Sequence, residues 1–317
     1  MNRRKFLKRL IQTICNRHRP YYAHLCVTER CNLRCSFCQI WKDPLHELST
    51  AEFKLAIEKI DRMGVVFVIF TGGEPMLRRD ICELIEYAAD RGLYTAITSS
   101  GTLNLERYAA LLKTRISKIS ISLDGIEGDD LPHSHVSNKI LDTVEFLNAN
   151  KGNKAFSVST TLFERNQESV PQIIEYCERE DVKVFIQPVV TGRGKLRTLG
   201  KNMSLPSICS PYVLNPVFFN DACEDYAVTG RLDWRCHSGQ LFFDIKPNGD
   251  FWLCQDYPTT LNILDPAFER KWLTYDFARY RKQCTSGCIY SCYYITQKGL
   301  EFKNIPQLIR YAMKATK

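Results

Sequence analysis

The chain has 317 residues, 44% hydrophobic and 25% charged, the balance of a globular protein long enough to bury a large core. Its formal charge of +8 sits in the first turns of sequence, where Arg3, Arg4, Lys5, Lys8, Arg9, Arg17 and Arg19 meet no acidic residue, so the rest of the chain is close to neutral. That excludes a phosphate-tracking surface, and no nucleic-acid partner is expected; no apolar run is long enough for a transmembrane helix.

Residues 1–20 form a basic arm. Phe6, Leu10 and Ile14, with Leu7 and Ile11, share one helical face, and Lys5, Lys8 and Arg9 lie largely away from it. Such a helix either packs on the protein body or lies on an anionic membrane surface. Asn2 to Lys8 spells something like a twin-arginine export signal. The apolar stretch after it is short, Arg17 and Arg19 follow soon, and no small-residue cleavage site appears. The expected location is the cytoplasm, with peripheral membrane contact through the arm as the alternative.

Residues 21–192 alternate apolar runs with amphipathic segments. The runs predict strands over Tyr22–Thr28, Val65–Thr71, Tyr94–Thr98, Lys118–Leu123, Ala155–Leu162 and Val182–Val189. Helical patterns fall at 50–63, 79–91, 105–114, 138–150 and 168–180. Ser49-Thr50-Ala51-Glu52 spells a capping box at the first of these, and Gly92 is placed to stop the second. This rhythm predicts an α/β fold with a parallel sheet, either curled into a partial barrel or open and doubly wound. In both, the chemistry belongs at the carboxyl ends of the strands.

Residues 193–235 read as an irregular, proline-punctuated connection. Residues 236–296 turn rich in Cys, Gly, Trp and Tyr, which suggests a small cysteine-rich appendage. Within it Pro247-Asn248-Gly249-Asp250 predicts a tight turn between Phe243 and Trp252, a hairpin that brings Cys236 and Cys254 together. Residues 297–317 form a second basic amphipathic segment, with Ile305, Leu308, Ile309 and Met313 opposed by Lys303, Arg310 and Lys314.

The fourteen cysteines cluster, which favours metal ligation in a reducing compartment over a disulfide framework. Cys31, Cys35 and Cys38 follow the first predicted strand. Structural zinc takes four ligands, usually as two separated pairs. Three local thiolates with no fourth beside them suit an iron–sulfur cubane with one iron left open.

The spacing of these cysteines, with Phe37 directly before the last, resembles the radical S-adenosylmethionine (SAM) superfamily. Thr71-Gly72-Gly73-Glu74-Pro75 looks like that family's Gly-Gly-Glu motif. Ser120-Ile121-Ser122-Leu123-Asp124-Gly125 and Phe185-Ile186-Gln187-Pro188 resemble two further family stretches. The resemblance covers roughly residues 22–190.

It implies a partial (β/α)6 TIM-like barrel and a 4Fe–4S cluster on Cys31, Cys35 and Cys38, whose fourth iron is chelated by SAM. It implies reductive cleavage of SAM to a 5′-deoxyadenosyl radical that abstracts hydrogen from a substrate C–H bond. Around SAM it implies close backbone approach at Gly72 and Gly73, a hydrogen bond from the SAM amine to Glu74, and Phe37 beside the adenine. Ser122 would meet the ribose or carboxylate and Val189 would line the adenosyl pocket. Many relatives place an arginine some ten residues after the Ser-x-Asp stretch, where this chain has Pro132-His133-Ser134-His135. The implied electron donor is a small flavodoxin or ferredoxin.

Cys236, Cys254, Cys284, Cys288 and Cys292 resemble the C-terminal auxiliary-cluster modules of the same superfamily, called SPASM in full form and twitch when shortened. Pro247 to Cys254 and Leu261-Asn262-Ile263 carry the likeness. The full form uses seven cysteines for two clusters; five imply one auxiliary 4Fe–4S cluster on Cys236, Cys254, Cys288 and either Cys284 or Cys292. Zinc is the alternative, since four thiolates suit it equally. Cys209 and Cys223, with Cys15, Cys26, Cys82 and Cys177, are expected to be buried apolar residues.

Relatives with such modules act on peptides, on sugar or cofactor precursors, or on lipids, and the sequence names no one of these. The short segment before the first strand disfavours a leader-peptide maturase working alone. No segment fits a cobalamin domain. The alternative function is a non-catalytic iron–sulfur or zinc protein on the same fold, against which Cys31, Cys35, Cys38 and Glu74 all stand.

Overall fold

The computed structural model describes residues 3–16, 19–42, 44–126, 138–163, 166–191, 195–196, 210–279, 288–307 and 310. Helix α1 (Arg3–Cys15) leads into strand β1 (Tyr22–Thr28). Then β2 (Phe67–Gly72), β3 (Tyr94–Ser99), β4 (Lys118–Ser122), β5 (Ala155–Leu162) and β6 (Lys183–Pro188) follow, each entered from a helix. Those helices are α2 (Thr50–Met63), α3 (Ile81–Asp90), α4 (Leu105–Leu112), α5 (Asn138–Asn150) and α6 (Val170–Arg179). The six strands pair parallel in chain order, β1 through β6, without reversal. A doubly wound sheet reverses its strand order at a switch point. This one does not, so the choice left open by the sequence falls to the partial barrel.

Alternation along the strands says the same. Ala23, Leu25 and Val27 of β1, Val68 and Phe70 of β2, and Phe156 and Val158 of β5 join one core with the helices. Residues of opposite parity face the other way: Tyr22, His24, Cys26 and Thr28, then Thr71, Ser120, Ser122, Ser159 and Thr161. Helices cover one face and a polar face is turned inward, which is the arrangement of a barrel that holds something.

Local sequence accounts for the helices. Ser49 Oγ accepts from Glu52 N at 3.3 Å while Glu52 Oε2 accepts from Ser49 N at 2.8 Å, so the capping box is complete. Gly64, at φ 97°, ends α2 in the left-handed region. Between them Phe53, Ala56, Ile57 and Ile60 are fully buried, each large one contributing roughly 1.5–3 kcal/mol of apolar burial.

One expectation is corrected and another extended. The connection at 193–235 is not irregular throughout: α7 (Val217–Thr229) occupies part of it and buries Phe219, Ala222, Cys223 and Tyr226. That is a helical stripe, blurred in sequence by Val217 and Val228, which are exposed. The cysteine-rich segment is also continuous with the barrel sheet. After a two-residue ladder of β7 (Val190–Thr191) with β8 (Lys195–Leu196), strands β9 (Phe242–Ile245), β10 (Asp250–Cys254) and β11 (Tyr257–Asn262) extend that sheet beyond β1. Strand β9 lies parallel to β1, with Tyr22 opposite Phe242 and His24 opposite Asp244.

The arm packs on the protein body, with Leu10 of its apolar face against the cluster of Tyr22, Leu241 and Phe242. Lys5 Nζ bonds Asp61 Oδ1 at 2.8 Å, and Arg9 reaches Asp61 Oδ1 and the carbonyls of Asp61 and Val65. These guanidinium bonds add side-chain donors to the carbonyls at and just beyond the end of α2. Ile11 and Ile14, from the apolar face, are exposed. Part of the C-terminal segment, including Leu308, Ile309 and Met313, lies outside the described residues. No helix among the described residues is long and apolar enough to cross a membrane.

The hairpin between β9 and β10 turns at Gly249, which has φ 85°, and a Cβ there would stand 2.9 Å from Asn262 Oδ1. Asn262 Nδ2 donates to Asn248 O and Asp250 Oδ1, and Ile263 N donates to Gly249 O. Gly249→Ala is therefore expected to cost about 1–3 kcal/mol through backbone strain and crowding. Thermal unfolding would show a lower Tm; an unchanged Tm would contradict this account of the turn.

Candidate cluster and cofactor site

The loop leaving β1 carries the first three cysteines. Cys35 is buried and Cys31 and Cys38 are half-buried, with Cys38 N donating to Cys35 O at 3.1 Å in a tight turn. Leu33 N points at Cys31 Sγ, 3.4 Å away. Burial pushes the Cys35 thiol up to about 12, and the charges of Cys38, Asp124 and Cys31 add to the shift. Cys31 is raised by burial too, opposed by Leu33 N–H and raised further by Glu74 and Cys38.

Cys31 and Cys35 are would-be anions that burial and neighbouring negative charge disfavour. A positive centre that takes up their charge would reverse that, because metal binding releases the thiol protons. The loop therefore fits an iron–sulfur cluster. Among the described residues, no three His, Cys, Asp or Glu side chains converge on the position of one chelated ion.

The loop is held from both sides. Gly73 N donates to Thr28 O and Glu74 N to Arg30 O, each at 2.8 Å, which carries the β1–β2 pairing into the cysteine loop. On the other side Arg30 makes a two-pronged bond to Glu47, at 2.7 and 3.0 Å. Buried Arg78 donates to Val27 O and Leu48 O and pairs with Asp80.

The two glycines are packed against this loop. A Cβ at Gly72 would lie 1.9 Å from Thr28 O, and one at Gly73 2.2 Å from Arg30 O. Gly72 also has φ 136°, a value that favours glycine. The close approach that these glycines permit is made, in the first instance, by the chain's own backbone.

Glu74 is enclosed. Its Oε1 accepts from Met76 N at 3.0 Å and Ser99 Oγ at 2.8 Å, and its Oε2 accepts from Ser100 N at 2.7 Å. Tyr108 stands behind Ser99, hydroxyl to hydroxyl at 2.9 Å. Burial raises the Glu74 carboxyl against the pull of these donors. Three positions on this carboxylate are thus taken by the β2 and β3 loops, which it joins.

The remaining predicted positions lie around the same end of the barrel. The Phe37 ring packs on Phe163, centroids 5.2 Å apart. Ser122 ends β4 opposite Ser159. Val189 is buried just after β6, its N–H donating to Leu162 O at 2.8 Å. His133 and His135 lie outside the described residues.

One residue the sequence reading quoted without a role stands out. Asp124 is fully buried and accepts from Thr161 N at 2.7 Å, and burial lifts its carboxyl to about 7. Its charge acts on Cys35. An aspartate directly after a buried strand, before a glycine, is the signal that marked it.

The second group gathers at β9, β10 and α8 (Ser291–Gly299, the helix that carries Cys292). Cys236, Cys254, Cys288 and Cys292 are half-buried and pack on one apolar cluster of Tyr22, Leu241, Phe242, Tyr290, Tyr293 and Leu300. Burial raises the Cys254 thiol, and Asp244, Cys236 and Asp256 raise it further. Trp234 Nε1 donates to Cys288 O at 2.9 Å. Ser291, beside Cys292, bonds Gln187 of β6, tying the segment to the far edge strand. Cys284 and Cys209 lie outside the described residues. Of the thiols expected in apolar surroundings, Cys26, Cys177 and Cys223 are buried, Cys82 is half-buried, and Cys15 is exposed, at the end of α1.

The backbone clamp gives a test. Gly73→Ala is expected to lose iron from the first loop even without SAM, since the added carbon displaces Arg30 and the adjoining Cys31. Iron and sulfide analysis after anaerobic reconstitution checks it. Full retention of iron would restrict the glycine to contact with the cofactor.

Residues 25–177 match the model of the Radical SAM superfamily. Over 115 residues the chain is 41% identical to a PqqA peptide cyclase of Rhodopseudomonas palustris, covering 34% of this chain and 30% of that protein. Over 186 residues it is 30% identical to an Fe-coproporphyrin III synthase of Methanosarcina barkeri, covering 56% of this chain and 46% of that protein. The chain thus spans less than half the length of these two relatives. Its fold is similar to that of Streptococcus suis SuiB bound to S-adenosylmethionine, with a TM-score of 0.64 at 16% identity over 88% of this chain and 71% of SuiB. The matched segment runs from within β1 into α6 and takes in the three-cysteine loop, the Gly-Gly-Glu turn and the Ser-x-Asp turn, and over that segment the chain matches the radical SAM superfamily.

Proposed function

We propose that this chain is a radical SAM enzyme in which Cys31, Cys35 and Cys38 hold a 4Fe–4S cluster with one iron open to SAM. The observation that carries the reading is the loop itself: three thiols on one clamped turn at the carboxyl end of β1, beside the Gly72-Gly73-Glu74 segment. When bound, the reduced cluster supplies the electron that cleaves SAM to methionine and a 5′-deoxyadenosyl radical for hydrogen abstraction from substrate.

The chain's own part is placement and dryness. Gly73 and Glu74 hold the cysteine loop through their backbone N–H groups. Gly72, Gly73 and Glu74 flank the methionine end of SAM, Phe37 with Phe163 the adenine, Ser122 the ribose or carboxylate, and Val189 the adenosyl side. With its carboxylate so fully engaged, Glu74 serves SAM chiefly by fixing the turn. Buried Asp124 and Glu74 close this end of the barrel against water.

We assign Cys236, Cys254, Cys288 and Cys292 to an auxiliary 4Fe–4S cluster of the SPASM or twitch kind. The support is their shared packing on one apolar cluster. Cys284 is the alternative fourth ligand, and zinc the alternative metal. Residues 21–192 form the core barrel, 193–235 the connection, 236–296 the auxiliary module, and 1–20 and 297–317 the flanking arms. A flavodoxin or ferredoxin would deliver the electron.

The two relatives are named for a peptide and for a porphyrin product. What the chain shares with both is therefore the machinery of cluster and cofactor, and substrate choice rests on residues elsewhere. A peptide, a sugar or cofactor precursor, or a lipid is the substrate class. The arm adds little to the lipid case, because Lys5 and Arg9 are engaged on the barrel.

Anaerobically reconstituted protein given SAM and dithionite should form 5′-deoxyadenosine, and Cys35→Ala should abolish it. Wild-type protein should hold about eight irons, the content of two cubanes. Absence of 5′-deoxyadenosine from iron-replete wild type would favour a non-catalytic iron–sulfur protein, and about four irons with zinc would replace the auxiliary cluster by a zinc site.

A further inference from the structure

Asn166 lies shortly after β5, is fully buried, and belongs to none of the motifs above. Its Nδ2 donates to Asp124 O at 3.0 Å and to Thr161 O at 2.9 Å. Its Oδ1 accepts from Phe163 N at 2.8 Å. The Asp124 carboxylate in turn accepts from Thr161 N. One amide thus ties the ends of β4 and β5 to Phe163, the first residue after β5. The Phe163 ring packs on Phe37, with centroids 5.2 Å apart and planes tilted by 43°. Phe37 itself stands inside the turn that Cys38 N and Cys35 O close.

A buried amide is costly unless its donors and its acceptor are met. Here backbone groups meet them all. The pairing of β4 with β5 does not call for this side chain. That ladder runs from Lys118 opposite Ala155 to Ser122 opposite Ser159, and Leu123 N adds a bond to Ser159 O at 3.0 Å. Thr160 Oγ1 donates to Leu123 O as well. The amide acts past the end of the ladder, where the chain leaves the sheet and pairing no longer sets its course. What it fixes there is the backbone at Phe163, and through that ring the place of Phe37. A wall set before its ligand arrives loses less freedom on binding, and such walls depend on the residues behind them.

We propose that Asn166 is a positioning residue for the adenine side of the cofactor pocket, holding Phe163, and through it Phe37, where the two rings meet the adenine. This rests on the placement of the adenine beside Phe37. Asn166 is fully buried with its amide engaged on backbone, so it acts through the rings and makes no contact of its own with the cofactor. Loosening the amide therefore weakens the grip on the adenosyl group while the thiols of the first loop keep their places.

The test is equilibrium binding of S-adenosylhomocysteine, which carries the adenosyl group without the sulfonium, to anaerobically reconstituted full-length protein. Wild type is compared with Asn166→Ala, Phe163→Leu and the double variant, and hydrogen exchange is followed alongside. Each single variant should weaken binding by about tenfold while the iron of the first loop is retained. The double variant should bind no more weakly than the weaker single one, because both changes break the same chain of contacts. Asn166→Ala should also speed exchange of the Cys38 amide as well as that of Phe163. Phe163→Leu leaves the Asn166 amide its backbone partners, so it carries the test if Asn166→Ala does not fold. Wild-type affinity in either single variant, additive losses in the double variant, or faster exchange at Phe163 alone would each overturn the proposal. A wild type that does not bind S-adenosylhomocysteine would instead overturn the adenine placement on which it rests.

Discussion

Three ionisable thiols share one short turn, Cys35 buried and Cys31 and Cys38 half-buried, and the rest of the structure is arranged to keep them there. Burial and mutual repulsion both resist ionisation, as the elevation of Cys35 to about 12 shows. The cation that eases Cys31 is Arg34, which is exposed and stacked over Trp41. A loop of this composition gains little from folding on its own account. It is held by backbone bonds to Gly73 and Glu74 and, on its other side, by buried Arg78 and the Arg30–Glu47 pair. The turn that faces the cofactor is thus also the turn that holds the ligands, and a change in either is felt in both.

The second cysteine group is coupled to the first through the sheet. Because β9 pairs with β1 in register, the strand that ends at the first cysteine loop also carries Tyr22 and His24 against Phe242 and Asp244. A hydrogen bond from Ser291 to Gln187 ties the same region to β6. One continuous nine-stranded sheet therefore supports both groups, and each rests on rigid strands rather than on a hinge.

Much of this was legible in the sequence because local signals agreed with one another. Strand β1 begins and ends where its apolar run does, and the Ser49 capping box opens α2 as spelled. Strand order, by contrast, is a long-range property, and only the sheet itself separated the barrel from the doubly wound alternative. Helix α7 was hidden by apolar residues on its exposed face and by the prolines before it. The glycine contacts and the enclosure of Glu74 were invisible for another reason: they depend on how close β1 and β2 come after their strands end. His24 carried no local signal at all, since an isolated histidine in an apolar run gives no hint of an aspartate that the fold brings from far along the chain.

The central claim is that the first cysteine loop carries a cluster with one iron left for a small-molecule ligand. Mössbauer spectra of protein reconstituted with iron-57, recorded with and without SAM, test it most directly. One iron of one cluster should change its isomer shift when SAM is added while its neighbours do not. Superimposable spectra across saturating SAM would mean that no iron is open, and the account of this site would fail.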